Sequence, residues 1–181
     1  MAMNKAILRW WLIGYATGDS TVQVWGLRTS TANPLIAKRL EKILGRPWRR
    51  KAFNDGHHRK PLYLFKISDP QIIRIIEEIR REYRFPRASK AEIKAWLAGY
   101  LDADGCLRPT KSWMGGHLFT IDWMLARLII KLCVRVGLKT TVQVSAFRGK
   151  QLRKNPIFKI YARPLDDLPS VKIQSFYNGR R

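Results

Sequence analysis

Two glycine-bearing segments 85 residues apart constrain this chain more than any other feature. Residues 97–105 read Leu97-Ala98-Gly99-Tyr100-Leu101-Asp102-Ala103-Asp104-Gly105, and residues 12–20 read Leu12-Ile13-Gly14-Tyr15-Ala16-Thr17-Gly18-Asp19-Ser20. Gly99 and Ala103 stand four apart, as do Gly14 and Gly18, so on a helix each pair shares one face. Small residues on that face let two backbones approach closely. A glycine inside a helix costs about 0.8–1 kcal/mol relative to alanine, so glycines at matched offsets predict a packing face rather than chance. In each copy the second small residue is followed directly by a carboxylate, Asp19 or Asp104.

The flanking sequence predicts one succession of elements, run twice. A helix over 5–18 leads into an extended stretch at Thr21–Trp25. Asn33 caps a helix with Pro34 at its first position, and Gly45 stops it. Strands are expected at Trp48–Phe53 and Leu62–Ile67, with the polar loop Asn54–Pro61 between them. Asp69-Pro70 opens a helix whose apolar face is Ile72, Ile73, Ile75, Ile76, Ile79 and Tyr83. Residues 84–89 read as a linker. Ser89 and Glu92 then form a capping box for the second copy. Extended residues 106–113 and 117–121 flank Met114-Gly115-Gly116, read as a hairpin turn. A helix over 122–136 ends at Gly137, strands follow near 139–147 and 156–162, and Pro164 opens a short helix before a basic tail. The expectation is an α+β fold, internally duplicated about a pseudo-twofold axis, with halves 1–86 and 87–181.

Charge limits the partners. The chain of 181 residues carries 35 Lys and Arg against 13 Asp and Glu, a formal net charge of +22, with 46% hydrophobic residues to build a core. Such an excess calls for a polyanion, and phosphate neutralisation makes nucleic acid the leading one. A membrane surface is the alternative, but no apolar run reaches the ~18 residues that span a bilayer. The segment following Lys5 is interrupted by Arg9 and runs on into the Gly14 copy, so it reads as a folded helix rather than a cleaved leader. Cys106 and Cys133 are widely spaced, which fits a reducing compartment and no cysteine-built zinc site.

The two carboxylates pose a problem of their own. A helix C-terminus carries partial negative charge and disfavours an acid, and two such ends side by side repel further. A hard divalent cation resolves the conflict, with Asp19 and Asp104 and the backbone carbonyls of Gly18 and Ala103 as its oxygen ligands. The alternative is that each aspartate merely caps the following turn. Asp102 is read as structural, because Thr17 takes its place in the first copy.

Residues 97–105 resemble the nine-residue signature of the LAGLIDADG homing endonucleases at seven of nine positions, Tyr100 and Leu101 departing, and the first copy keeps Leu12, Gly14 and Asp19. The resemblance is to the single-chain, two-motif type encoded in archaeal or organellar introns. It implies two αββαββα halves, motif helices at their interface, and saddle-shaped antiparallel sheets laid along DNA. It further implies a site-specific double-strand endonuclease that uses Mg²⁺, with Mn²⁺ substituting, through catalytic Asp19 and Asp104. Such an enzyme hydrolyses phosphodiesters across the minor groove to leave short 3′ overhangs. The target would be long, non-palindromic double-stranded DNA, bound by a monomer inside the cell, in archaeal cytoplasm or an organelle. The competing reading keeps the fold without cleavage, as an RNA maturase (a splicing cofactor) or a DNA-binding regulator. A nuclease built on His57 and His58 lacks partner residues.

For DNA contact, Lys139, Thr141, Gln143 and Ser145 alternate with Thr140, Val142, Val144 and Ala146, giving one polar and one mostly apolar face. Basic strand-and-loop units Arg49, Arg50, Lys51, Arg59 and Lys60 in the first half and Arg148, Lys150, Arg153 and Lys154 in the second are the phosphate-contact candidates, with Arg108 and Lys111 beside the second motif. Arg127, Lys131 and Arg135 fall at helical spacing and read as a solvated face. Two departures from the family stand out. The first hairpin is shortened. Where the family often carries Lys or Gln, this chain has Thr29, Ser30, Thr120 and Asp122, leaving Lys66 and Arg163 as substitute cations.

Overall fold

The computed structural model describes residues 4–47, 49–54, 59–109, 114–148 and 151–178; at 49–54, 59–60, 146–148 and 151–155 it describes the backbone alone. Helix α1 (Lys5–Gly18) starts where the Asn4 side chain accepts from the Ile7 N–H at 2.9 Å. Its counterpart α4 (Lys90–Asp104) starts at Ser89, whose hydroxyl accepts from the Glu92 N–H while the Glu92 carboxylate accepts from the Ser89 N–H. Both caps satisfy N–H groups that the first helical turn leaves without partners. Helices α2 (Pro34–Leu44) and α5 (Trp123–Arg135) are capped by Asn33 and Asp122. Helix α3 (Pro70–Glu77) is capped by Asp69 and runs into a π-helical turn, Glu78–Glu82, that stops at Tyr83 with φ 53°. The last helix is α6 (Val171–Asn178).

Two four-stranded antiparallel sheets share one topology. Strands β1 (Thr21–Gln23), β2 (Gly26–Thr31), β3 (Arg49–Asn54) and β4 (Arg59–Ile67) lie in the order β1-β2-β4-β3. Strands β5 (Gly105–Pro109), β6 (Met114–Thr120), β7 (Lys139–Arg148) and β8 (Gln151–Arg163) lie in the order β5-β6-β8-β7. The element order therefore runs helix, hairpin, helix, hairpin, helix twice, as the sequence predicts. One continuous core joins the halves, centred on Trp11, Leu12, Ile13, Trp96, Leu97 and Leu101. Among the described residues no helix is long and apolar enough to cross a membrane.

Several local expectations are corrected. Met114-Gly115-Gly116 is not a turn: these residues are the start of β6, opposite Pro109, Arg108 and Leu107. Gly116 lacks a side chain because a Cβ there would stand 2.8 Å from Leu165 Cδ1 and 2.9 Å from the Cys106 carbonyl. Pro164 does not open a helix. The segment after it returns to β6, the Leu165 N–H donating to the Met114 carbonyl at 2.7 Å, and α6 begins only after Ser170, whose Oγ accepts from the Ile173 N–H. The loop Asn54–Pro61 is shorter than expected, since Arg59 to Pro61 already pair with β3. The apolar register of β7 is not covered: Val142 is 40% and Val144 54% exposed, although their partners on β8 are the buried Ile160 and Phe158, which packs against the core.

Candidate active site

The two motif helices cross by mutual insertion. A Cβ on Gly14 would collide with the Trp96 carbonyl, and one on Gly99 with the Trp11 carbonyl. Trp11 stacks on Tyr15 with ring centroids 5.3 Å apart, and Trp96 on Tyr100 at 5.4 Å. Each tyrosine then ties its helix to its own sheet, Tyr15 Oη donating to the Ser30 carbonyl at 3.0 Å and Tyr100 Oη to the Phe119 carbonyl at 2.8 Å. Burial holds both phenols well above the ordinary range, so they act as donors and anchors. At the C-terminal end of the crossing, a Cβ on Gly18 would stand 2.8 Å from Ala103 Cβ and 3.2 Å from Asp104 Oδ2. The missing side chain lets the Asp104 carboxylate rest against the residue that precedes Asp19.

The meeting of the two ends shows in their electrostatics. Burial raises the Asp19 carboxyl, and the Arg80 charge opposes that rise. Asp104 is exposed to solvent, with Gly18 of the other motif helix against its carboxylate. Burial first, then the nearby Asp19 charge, push its carboxyl up to about 6, while Lys172 and Arg80 pull it back. The carboxylate oxygens of Asp19 and Asp104 are donors of the kind a hard cation such as Mg²⁺ or Mn²⁺ takes, and these two residues could hold one. Among the described residues no group of three or more His, Cys, Asp or Glu side chains that could hold a metal ion is present, so the pair stands without a third such side chain there. His57 and His58 lie outside the described residues.

Asp102 points elsewhere. It is buried and accepts from Trp11 Nε1, Ser170 Oγ and the backbone N–H groups of Val171 and Lys172. The structural role expected for it holds, but its partners are not the local backbone. Thr17, at the matching position, does bond locally, donating to the Ile13 carbonyl at 2.7 Å. Thr29 donates to the Asp19 carbonyl, and Asp122 caps α5 while accepting from Tyr83 Oη.

Lys66 and Arg163 are the cations expected near the site. Lys66 sits 4.7 Å over the Trp25 ring, and Arg163 takes the register position opposite Lys139. The charges that bear on the acid pair are Arg80 and Lys172. No sequence signal separates either one from the chain's 35 basic residues.

An alternation of buried and open register lines is present in β2 and β8, while in β7 both lines are exposed over 141–144. Leu27, Thr29 and Thr31 of β2 are buried toward the helices, and Arg28 lies on the other register line, opposite Lys66. In the second sheet Ile160 and Ala162 are buried, while Lys159 and Tyr161 alternate with them opposite Gln143 and Thr141. Arg108 and Lys139 fall on that same open face, and Ser145 opposite Ile157 continues it. Arg108 and Lys159 lie close enough to His117 that, with burial, they hold its imidazole below the ordinary range. By backbone register Arg49, Lys51 and Lys60 continue the line of Ser30 and the buried Leu64, the one opposite the Leu27–Phe65–Ile67 core line, whereas Arg50 and Arg59 fall on the alternate line. Arg148, Arg153 and Lys154 lie on the strands of the β7–β8 hairpin; Lys111 and Lys150 lie outside the described residues.

No family model matches the sequence, and no curated protein sequence matches it. Solved structures do match the architecture. The N-terminal LAGLIDADG domain of DUF199/WhiA is similar with a TM-score of 0.58 at 13% identity, over 97% of this chain and 80% of that one. The homing endonuclease I-DmoI, in crystals with DNA and Mn, is similar with a TM-score of 0.52 at 12% identity, over 90% of this chain and 93% of that one. This chain has the LAGLIDADG homing endonuclease fold. Mesophilic variants of I-DmoI superpose at a TM-score of 0.54 and 13% identity, over 91% of this chain and 93% of theirs. At such identities the likeness carries the LAGLIDADG fold alone, and the chemistry rests on this chain's own residues.

Proposed function

We propose that the chain is a metal-dependent, site-specific double-strand DNA endonuclease acting as a monomer on a long, non-palindromic target, with halves 1–86 and 87–181 each supplying one acid. The observation that carries the reading is the convergence of Asp19 and Asp104 at the C-terminal ends of the crossed motif helices, in a chain of net charge +22. I-DmoI, which has been crystallised with DNA and Mn, lends this fold a matching activity.

Asp19 and Asp104 would hold the cation through their carboxylate oxygens, with the Gly18 and Ala103 carbonyls beside them. A bound Mg²⁺ or Mn²⁺ supplies Lewis-acid polarisation of the scissile phosphate and stabilises the leaving 3′ oxygen. The protein's part is positional. The glycine crossing fixes the two acids relative to each other, and the tyrosine anchors fix that crossing relative to both sheets. The open sheet faces, with Arg108, Lys139, Thr141 and Gln143, bind phosphates and base edges so that both strands are presented across the minor groove. Unequal hairpins, three residues in β1 against five in β5, suit an asymmetric target; the cuts would leave short 3′ overhangs, as the resemblance to the family implies.

The test is a plasmid library with randomised inserts, incubated with the protein in Mg²⁺ or Mn²⁺, cut molecules being captured by adapter ligation. Wild type is expected to enrich one long sequence and to stop cutting in EDTA. Asp19→Asn and Asp104→Asn are expected to bind the enriched DNA yet cut neither strand. A wild type that selects a sequence by binding and never cuts it makes the protein a binder.

A further inference from the structure

Each motif helix ends on a cation from the closing helix of its own half. In the first half Arg80, on the π-helical turn after α3, donates from Nε at 3.0 Å and from Nη2 at 2.8 Å to the Thr17 carbonyl, and from Nη2 at 2.6 Å to the Ala16 carbonyl. In the second half Lys172, near the start of α6, donates from Nζ at 2.9 Å to the Leu101 carbonyl and at 2.6 Å to the Gly105 carbonyl. Ala16 and Leu101 are the same position of the repeat. Different side chains on differently built helices thus share one equivalent carbonyl, and each adds a second of its own: Thr17 for Arg80, Gly105 for Lys172.

The placement answers a physical problem. Two helix C-termini, each carrying about half a negative charge, converge beside two carboxylates. With no compensating charge the ends would splay. The last carbonyls of each helix bind a cation instead, and Arg80 also lines the cleft beside Gly18 and Asp104. A π-helical turn is uncommon and is often found where a side chain must be re-aimed for function. Here that turn carries Arg80.

Building on the endonuclease reading, we propose that Arg80 and Lys172 are a matched pair of positioning residues, each gripping carbonyls at the C-terminal end of one motif helix so that the two carboxylates are held together where a divalent cation would bind. Neither touches the reacting atoms; both act through Asp19 and Asp104.

The test is Mn²⁺ binding to the full-length protein without DNA, followed by electron paramagnetic resonance, on wild type, Arg80→Met, Arg80→Lys, Lys172→Met and Lys172→Arg, with a melting temperature for each. The sign of the change discriminates. Removing a neighbouring positive charge by itself tightens binding of a cation, whereas losing the grip on the acids weakens it. Arg80→Met and Lys172→Met are expected to weaken Mn²⁺ binding at least fivefold, and the charge-keeping variants to recover most of it. Should a methionine variant fail to fold, Arg80→Gln or Lys172→Gln takes its place: the shorter, neutral side chain also loses the grip, and its Mn²⁺ binding is read by the same outcomes. Mn²⁺ binding that is unchanged or tighter in the folded methionine variants overturns the positioning role and leaves the endonuclease reading standing. A wild type that binds no Mn²⁺ overturns both.

Discussion

Trp11 donates its indole N–H to Asp102 at 2.8 Å across the helix pair, and the internal repeat breaks at this contact. Trp96, the matching tryptophan, has a buried indole nitrogen with no partner among the described residues. Asp102 gathers three more donors from the start of α6, at 2.6 Å from Ser170, 2.7 Å from Val171 and 3.0 Å from Lys172. One buried carboxylate therefore joins both motif helices to the last helix. Asp102→Asn turns an amide NH₂ toward donors and removes charge from a helix N-terminus. It is expected to cost about 3 kcal/mol in urea unfolding. Trp11→Phe is expected to cost about 1 kcal/mol alone and less in the Asp102→Asn background. A loss under about 0.5 kcal/mol for Asp102→Asn would count against this role.

The glycine crossing makes a symmetric prediction. Gly14→Ala and Gly99→Ala each drive a methyl group into the opposite helix's backbone, at Trp96 and Trp11 respectively. Backbone cannot swing aside as a flexible side chain can, so each should cost about 2–3 kcal/mol, a fall in Tm of roughly 4–10 °C. Calorimetry on both variants checks it. An unchanged Tm in either one would mean that the helices are not held at this separation.

Much of this architecture is written locally and so is legible in the sequence. Asn33 before Pro34, Ser89 with Glu92, and the matched Gly14 and Gly99 each signal through neighbours a few residues away. The acid pair follows from the repeat, and Asp102 is set apart by Thr17 standing in its place. What escapes is decided by distant contacts. A glycine pair at 115–116 reads equally well as a turn or as a place of close approach, and the pairing with β5 together with Leu165 and the Cys106 carbonyl against Gly116 decides between them. Alternation along β7 assigns faces, but whether Val142 and Val144 are covered depends on where the helical layer ends. Arg80 and Lys172 are two cations among 35, identified only by the carbonyls they reach.

Asp104 makes stability depend on pH. Its carboxyl is raised from 3.8 to about 6 in the folded protein. A raised acid contributes stability that is fully present below the unfolded value and is lost as pH rises through the folded one. The metal-free protein should therefore lose stability between about pH 4 and pH 6 on this account. Asp104 is partly open to solvent, so the loss should be about 1 kcal/mol or less. Asp104→Asn should flatten that part of the profile and melt slightly higher than wild type at pH 7.5 without metal. Proton and cation compete for the same oxygens, so apparent Mn²⁺ affinity should fall steeply below pH 6 in wild type. A Tm profile flat from pH 4 to pH 7 in wild type would contradict the raised carboxyl.

Sheet-face residues should separate affinity from sequence choice. Lys139 and Arg108 lie on the open face of the second sheet and are exposed, as are Thr141 and Gln143. If six to ten phosphates are neutralised, affinity for the target should drop about 10³- to 10⁵-fold between 50 and 200 mM salt. Lys139→Gln and Arg108→Gln should each lower the slope of log affinity against log salt by about one, uniformly across sequences. Gln143→Ala should leave the slope alone and relax preference at one base pair by about 1–3 kcal/mol. Arg127 lies on the exposed side of α5, outside that face, so Arg127→Gln should change neither quantity. Fluorescence anisotropy over a salt series, with matched single-base target variants, measures both. An equal change in slope for Lys139→Gln and Arg127→Gln would mean that DNA does not lie along the open sheet face.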